Sequence, residues 1–241
     1  MPRRPPLARR WLTAATWPVG IALTSWDYMW RSTPMHRREA RVQGAVDLAG
    51  LLSLPPEVSR DELLHPDDGC GPLFHRRYST RIRDCQLDAR AVMEALKRDP
   101  NRAAPTTFAR FQKLEGEADQ MELGDEYVVR MPGPWDGPVR VVGLGESSFR
   151  LATLAGHLES GQIEFRALDR SGDELVFEIE SYARSSSRLV DLLYHRLRMA
   201  KEVQAHMWIS FLERVVDLAG GRMTGGIVME TERVEGPRRG S

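Results

Sequence analysis

Cysteine is scarce in this sequence, and its scarcity argues against two classes of protein. The chain of 241 residues contains two cysteines, Cys70 and Cys85. Two thiols are too few for a disulfide-stapled secreted scaffold, and no second pair stands at the spacing of a zinc site. No pair of histidines has metal-binding spacing on a helix either. We therefore expect a protein of the reducing cytoplasm that binds neither a metal nor a cofactor.

Long hydrophobic runs are also missing. The most apolar stretch, residues 11–26, is short for a membrane span and is interrupted by Pro18 and Gly20. The pair Arg9-Arg10 loosely resembles the start of a twin-arginine export signal, but no small-x-small cleavage site follows it. The sequence therefore favours a cytoplasmic location over export.

Net charge is absent from the chain as a whole, yet its charges are unevenly distributed. The first 41 residues contain eight arginines against Asp27 and Glu39, which gives this segment a net charge of +6. Because the whole chain sums to zero, the remainder carries −6. An acidic body argues against a nucleic-acid partner, whereas a basic arm suits a surface that bears phosphate.

The basic arm, residues 1–53, is rich in aromatic side chains, and two interpretations of it stay open. A helix is predicted from Pro18 to about residue 31, because proline is favoured in a first turn. In one interpretation the arm docks as a flap on the main domain. In the other it touches an anionic membrane surface, with aromatic rings at headgroup depth beside cationic side chains. That peripheral contact would use Arg9, Arg10, Trp26, Trp30 and Arg31.

The rest of the chain divides at clusters of turn-forming residues. Residues 54–72 contain Pro55-Pro56 and several further prolines and glycines, a density that indicates a linker. Residues 73–220 then form the predicted main domain. It ends at Gly220-Gly221, and residues 221–241 are predicted to be a flexible tail.

Alternation of apolar and polar residues predicts a series of short strands in the main domain. In the first, Tyr78, Thr80 and Ile82 share one face while arginines occupy the other. A short helix capped by Asp88 follows it. The connections leave no room for crossover helices, so antiparallel pairing is expected. The predicted strands are residues 76–84, 108–114, 126–131, 139–144, 149–157, 162–168 and 174–182.

The register of one hairpin is also predictable. An odd number of loop residues around Glu159 puts Phe149 and Leu151 on the same face as Ile163 and Phe165. An even number would mix apolar and polar side chains on both faces, because a shift of one residue reverses every side chain. We therefore predict the odd loop.

The longest predicted element is a helix over residues 187–219. Its apolar residues recur at spacings of three and four, and Gln204 is the one interruption in the middle of that stripe. A stripe of this length needs a large apolar surface to lie on. The sequence therefore predicts an α+β fold in which a curved antiparallel sheet grips a long C-terminal helix, with an N-terminal helical arm. Such a clasp suits the binding of a small hydrophobic or amphipathic ligand in a cavity between sheet and helix.

Three motifs carry a resemblance to a known family. They are the run 124–130 (GDEYVVR), the run 132–135 (PGPW) and the run 153–165, whose core is Gly-His-x-Glu-x-Gly at 156–161. Over about residues 69–218 the chain resembles the bacterial and plant domain-of-unknown-function family nineteen-ninety. The shape that this resemblance implies is the helix grip of START-like lipid-transfer domains, pollen allergens and polyketide cyclases. Since the family has no established activity, the resemblance implies a fold rather than a function.

Candidate site residues follow from the predicted clasp. A histidine near an apolar cavity can donate to a ligand or transfer a proton, with a nearby carboxylate setting its charge. His157, Glu159 and Glu164 are therefore the candidate proton-transfer groups of a cyclase-like or hydrolase-like enzyme, which is the alternative to a binding protein. The predicted ligand-binding residues are Thr153, His157, Phe165, Phe177, Met199, Gln204 and Met207.

Two structural interpretations compete with these roles. His157 and Glu159 can instead cap turn amides and pair with strand neighbours. Gln204 can face the cavity or bond to a strand carbonyl, because a buried amide must find a partner. The His-x-Glu pair is also half of the zinc deaminase signature, but no Pro-Cys-x-x-Cys follows it, so that chemistry is excluded.

Overall fold

A computed structural model describes residues 33–43, 53–105, 109–114, 116, 119–131, 136–170, 173–186 and 198–235. The predicted helix at 18–31 and the predicted start of the C-terminal helix at 187–197 lie outside these residues. Within them, the chain forms a nine-stranded sheet and two α-helices.

The sheet is antiparallel except at one edge. Its order in space is β1-β9-β2-β8-β7-β6-β5-β4-β3, and only the outermost pair, β1 and β9, is parallel. The strands are β1 (Met35–Gln43), β2 (Cys70–Arg83), β3 (Arg110–Lys113), β4 (Glu126–Arg130), β5 (Gly137–Gly145), β6 (Ser148–Thr153), β7 (Glu159–Arg170), β8 (Glu174–Ser185) and β9 (Arg222–Glu235).

The predicted register of the β6–β7 hairpin is confirmed. Phe149 lies opposite Phe165 and Leu151 opposite Ile163, so the apolar residues of both strands share one face. Gly161 follows at the start of β7, where a Cβ would stand 2.0 Å from the carbonyl oxygen of Tyr182. Because no side chain fits there, glycine allows β7 and β8 to stay paired up to their ends.

The two helices cover one face of the sheet, which we call the inner face. Helix α1 (Ala89–Arg98) begins at Asp88, whose carboxylate accepts a hydrogen bond from the amide of Ala91. Helix α2 (Arg198–Ala219) packs against β2, β8 and β9, so the predicted grip of sheet on helix is confirmed. It ends where Gly220 takes a positive φ of 65°, a conformation that glycine adopts without strain.

The flexible tail predicted for residues 221–241 is wrong for most of its length. Strand β9 lies between β1 and β2, and its residues Ile227 and Met229 are buried in the core. Gly220-Gly221 ends the helix as predicted, but the chain then turns back into the sheet. Gly225 and Gly226 also have positive φ and accompany a shift in register against β2, which hides the alternation of this strand in the sequence.

The arm and the linker also contribute to the fold. Residues 35–43 of the predicted arm form β1. Residues 53–69, which we call the strap, cross the outer face of the sheet and bury Val58 against Val142 and Ala152. The guanidinium of Arg140 donates to the carbonyl oxygens of Ser59 at 2.7 Å and Asp61 at 2.8 Å. The strap is therefore a packed segment, and the prediction of a linker is wrong for it.

Removing core volume from β9 tests its place in the sheet. Ile227→Ala should lower the free energy of unfolding by about 2–5 kcal/mol, because the side chain is fully buried. Val228→Ala is the matched control on the outer face of the same strand, where the side chain is half-buried, and should cost clearly less. Urea unfolding followed by circular dichroism measures both. Equal losses would contradict the assignment of Ile227 to the core.

Candidate functional site

The inner face of the sheet has an apolar end, where aromatic side chains of the sheet and of α2 are in contact. Phe165 and Phe177 are fully buried there, and their rings lie 5.3 Å and 6.2 Å from that of Phe211 on α2. Trp208 of α2 meets the Phe165 ring edge-on at 5.7 Å. Two of the predicted ligand-binding residues, Phe165 and Phe177, therefore lie in the hydrophobic core.

The other end of the inner face contains a buried polar cluster. The guanidinium of Arg76 donates to Oε1 of Glu159 at 3.1 Å. The side-chain amide of Gln204 donates to Oε2 of the same carboxylate at 3.1 Å. The side chains of Arg76 and Glu159 are only 7% and 15% exposed. We call these three residues the inner polar cluster.

Strand alternation and small neighbours explain how this cluster forms. Arg76 shares its face of β2 with Tyr78, because the two positions are two residues apart. Its direct partner on β8 is Ser181, and the next inward residue of β8, Ala183, lies opposite Gly161. These short side chains leave room for two long polar side chains to meet across β8.

His157 holds the backbone of Glu159 in place. Its Nδ1 accepts a hydrogen bond from the Glu159 amide at 2.9 Å, in the turn that joins β6 to β7. Its Nε2 lies against Gly137, where a Cβ would stand 3.0 Å away. Burial lowers the pKa of the imidazole, and the nearby charge of Glu159 only partly opposes that effect. The ring is therefore neutral at neutral pH, and the interpretation of His157 as a cap for a turn amide fits this geometry.

The remaining predicted residues fall in different places. Thr153 is buried, and its hydroxyl accepts from the Gly161 amide at 2.9 Å. Met207 of α2 is buried in the core. Met199 belongs to the first turn of α2, and its side chain lies outside the described part. Gln204 belongs to the inner polar cluster, where it bonds to the carboxylate of Glu159 and not to a strand carbonyl.

Glu164 cannot act with these residues. It points to the outer face, where it lies 3.7 Å from the guanidinium of Arg166. Because Phe165 points inward, its neighbour in the same strand must point outward. The grouping of Glu164 with His157 and Glu159 is therefore wrong.

Arg76 is the residue that the sequence interpretation missed. Its position two residues before Tyr78 places it on the apolar face of β2, and an arginine on such a face indicates a buried partner. That partner is 83 residues away in sequence. Only the pairing of β2, β8 and β7 brings the two together.

A second polar network covers the outer face over the same strands. The ring of His75 stacks on that of Tyr182, with 4.2 Å between centroids and 4° between planes. Its Nε2 lies 2.7 Å from the carboxylate of Glu180, and its Nδ1 lies 3.0 Å from that of Glu232. Burial opposes protonation of this imidazole, but hydrogen bonds and charge from both carboxylates outweigh it and raise the pKa of His75.

Glu180 is the centre of this outer network. The hydrogen bond from His75 lowers the pKa of Glu180 to about 2, burial opposes that shift, and the charges of Arg166 and Arg77 add to it. The guanidinium of Arg77 lies 3.2 Å from Glu180 and 3.6 Å from Glu230 of β9. Paired charges of this kind tie β9, β2, β8 and β7 together. Because these side chains are engaged with one another, they are poor candidates for catalysis or ligand binding.

No metal site emerges among the described residues, where no three His, Cys, Asp or Glu side chains converge. In the same part of the chain, neither helix has the length and hydrophobicity that a bilayer crossing demands.

A curved sheet that holds a helix against its inner face defines the α+β helix-grip class. The model of the family described as "Domain of unknown function (DUF1990)" matches residues 75–213. The chain belongs to this family, and the resemblance found in its motifs is confirmed. No curated protein matches the sequence.

Solved structures that are similar to this chain share little sequence with it. Norcoclaurine synthase from Thalictrum flavum, in complex with dopamine and hydroxybenzaldehyde, is 10% identical with a TM-score of 0.44, over 68% of this chain and 98% of that one. Major latex-like protein 151 from Panax ginseng is 16% identical with a TM-score of 0.40, over 57% and 99%. The KanY protein is 14% identical with a TM-score of 0.46, over 60% and 96%.

The charge of His75 makes stability depend on pH. A raised pKa in the folded state means that His75 stabilises the fold below its unfolded pKa of about 6.5, and that this contribution is lost as the pH rises through the folded value. We expect the free energy of unfolding to fall from pH 6.5 to pH 9, and to fall less in His75→Asn. Urea titrations at each pH measure this.

The choice of pH range separates His75 from His157. Because burial lowers the pKa of His157, its protonation destabilises the fold only below about pH 6.5. An equally steep decline in the parent protein and in His75→Asn would show that His75 does not carry a proton between its two carboxylates.

Proposed function

We propose that this protein binds a small amphipathic molecule between the inner polar cluster and α2. The ligand's apolar part lies towards the aromatic end of the inner face, and its polar group lies beside Arg76, Glu159 and Gln204. The single observation that carries the proposal is a charged pair buried on the inner face of a sheet that grips a helix.

The energetic cost of that pair supports the proposal. A carboxylate and a guanidinium removed from water lose several kcal/mol of solvation each, and a buried ion pair is often no more stabilising than packed apolar side chains of similar volume. A pair on the inner face is therefore weak evidence for a purely structural role. Charged groups kept at such a position suit the recognition of a polar group on a ligand.

The residues around the cluster suit an amphipathic shape. Ser181, Ala183 and Gly161, which lie beside Arg76 on the inner face, have short side chains or none. Ile163 is half-buried directly beside Ser181, and Met207 lies on the helix above. A flexible thioether adapts to guests of different shape, and an isoleucine offers apolar contact. One end of the site is thus polar, and the other leads into the aromatic core.

The enzymatic alternative has less support. Of its three proton-transfer candidates, Glu164 lies on the opposite face, and His157 uses Nδ1 to accept from a backbone amide. Glu159 alone faces the inside, and it is held by Arg76 and Gln204. A single restrained carboxylate favours binding over proton transfer.

The interpretation of the basic arm as a membrane contact stays a prediction. Arg9, Arg10, Trp26, Trp30 and Arg31 all lie outside the described residues. A peripheral contact at a cytoplasmic membrane surface would bring a binding protein close to a source of amphipathic ligands.

Native mass spectrometry of protein purified from its own host tests the proposal most directly. The expected result is a co-purified small molecule that is enriched above the background of an unrelated protein prepared in the same way. A spectrum of the ligand-free chain alone, together with no binding of an apolar probe to that chain, would end the proposal.

Filling the space beside the cluster tests where the ligand lies. Ser181→Leu should abolish binding of the uncharged fluorescent probe N-phenyl-1-naphthylamine, because the larger side chain occupies the inner face next to Arg76. Ser79→Leu is the matched control, since Ser79 is a half-buried serine of β2 that faces outward beside Glu178. It should keep binding within about twofold, which is under 0.5 kcal/mol.

The two serine variants also test whether the interior near Ser181 is fully packed. If the inner face were fully packed near Ser181, the parent protein would bind no probe, and Ser181→Leu would lose about 1–3 kcal/mol of stability through overpacking. Fluorescence titration and urea unfolding of both variants separate these outcomes.

A further inference from the structure

We propose that His75 is a pH-dependent switch that fastens the end of β9 to the sheet. The charged imidazolium donates one hydrogen bond to a carboxylate of β8 and another to a carboxylate of β9. When it gives a proton to water, the carboxylate of β9 loses its donor, and residues 231–235 separate from β2 more often. This inference concerns the outer face and does not rest on the proposed function.

The ring of His75 is bound on both sides. Strand β2 lies between β8 and β9, and His75 stands opposite Tyr182 of one and Glu232 of the other. Its Nε2 lies 2.7 Å from Oε1 of Glu180, and its Nδ1 lies 3.0 Å from Oε2 of Glu232. An ionised carboxylate only accepts hydrogen bonds, so both contacts are hydrogen bonds only when both ring nitrogens carry hydrogen. The geometry therefore requires the charged ring.

A neutral ring can satisfy one of the two carboxylates, because it has a single N–H. The side chain of Glu180 is 11% exposed and that of Glu232 is 44% exposed. A lone pair turned towards Glu180 would repel a carboxylate that water hardly reaches, whereas Glu232 can turn into solvent. The remaining N–H therefore stays with Glu180, and the contact with Glu232 is lost.

Glu180 is also held by groups other than His75. It accepts a hydrogen bond from the hydroxyl of Tyr182 at 3.3 Å. The guanidinium groups of Arg77 and Arg166 lie 3.2 Å and 2.7 Å from its carboxylate. Loss of the proton from His75 therefore leaves the contacts between β2, β8 and β7 in place.

Glu232 has less support. Within the described part of the chain, His75 supplies the one hydrogen bond to its carboxylate. Glu230, the outward carboxylate two residues earlier in β9, lies 3.6 Å from Arg77 and 3.8 Å from Arg38 instead. The change at His75 therefore falls on the end of β9 beyond Glu230.

His75 is the group of this network that changes its charge near neutral pH. The hydrogen bond from His75 lowers the pKa of Glu180 to about 2, and burial raises the pKa of Tyr182 to about 12. Carboxylic acids and guanidinium groups ordinarily titrate well outside the range from pH 6.5 to pH 9. The other charged groups of the network around His75 are Arg77 of β2, Glu178 of β8, Glu164 and Arg166 of β7, Glu230 and Glu232 of β9, and Arg38 of β1.

The core limits how far β9 can open. Ile227 and Met229 anchor the first half of the strand, because both side chains are buried. Beyond them, Val234 is buried opposite Leu73 of β2. Separation of residues 231–235 must also expose this apolar pair, so the switch changes how often the end opens and does not release it altogether. Such local opening below the free energy of global unfolding is measurable by amide exchange.

Hydrogen–deuterium exchange of the full chain at pH 6.5 and pH 9.0 measures the opening. Protection factors remove the intrinsic pH dependence of exchange. For residues 231–235 we expect a fall of at least about tenfold, the loss of one hydrogen bond to a charged group. At pH 9.0 they should also be at least about tenfold less protected than residues 163–168 of β7, which report global unfolding. Equal protection of the two segments at pH 9.0 overturns the inference.

Glu232→Gln separates the switch from the other effects of pH. Its amide oxygen accepts from the charged ring, and its amide N–H donates to Nδ1 of the neutral ring. The end of β9 should therefore stay fastened at both pH values, with protection of residues 231–235 changing less than about twofold. A fall as large as that of the parent protein would show that His75 does not act through Glu232.

Glu230→Gln is the matched control. It removes a carboxylate from the same face of the same strand, 36% exposed against 44% for Glu232, and leaves His75 untouched. The tenfold fall should persist in this variant, and its disappearance would assign the effect to the charge of β9 in general. His75→Gln should leave residues 231–235 weakly protected at both pH values. If His75→Gln does not fold, the two variants of β9 decide the question.

Discussion

The register of β2 is the constraint on which both polar networks depend. This strand pairs with β8 on one side and with β9 on the other, and its consecutive residues His75 and Arg76 point to opposite faces. A shift of one residue would place Arg76 on the outer surface and His75 under α2. The ion pair to Glu159 inside and the contacts to Glu180 outside are both lost in that alternative, so the two networks specify one pairing of the sheet.

Charge has opposite consequences on the two faces. On the outer face several carboxylates and guanidinia share partners near water, where each pair contributes little alone and the network mainly secures register. On the inner face the Arg76–Glu159 pair stands where solvation is lost and the cost of each charge is high. The same two residue types therefore secure the arrangement of strands outside, and inside they form the pair on which the proposed ligand binding rests.

The sequence predicts most of the fold because its signals are local. Apolar residues alternate within β6, β7 and β8, the stripe of α2 repeats every three or four residues, and the cap at Asp88 lies beside its helix. Strand β9 is not predictable in this way. The glycine pair before it indicates the end of the domain, and Gly225-Gly226 interrupts the alternation of its apolar residues. The strap was missed because its prolines indicate a linker, while its anchor Arg140 lies about 80 residues further along the chain.

The residues of the site also differ in how far the sequence predicts them: some stand out locally, and others only through distant strand pairings. Gln204 stands out because it interrupts an apolar stripe, and Glu159 stands out because it ends a His-x-Glu motif. Their common partner Arg76 is visible only through two strand pairings that join positions far apart in sequence. Glu164, in contrast, could have been excluded from the sequence alone, since Phe165 points inward and adjacent strand residues alternate. A polar residue on an apolar strand face thus carries more information about a buried site than a motif at a hairpin does, because burial requires a partner and the partner locates the site.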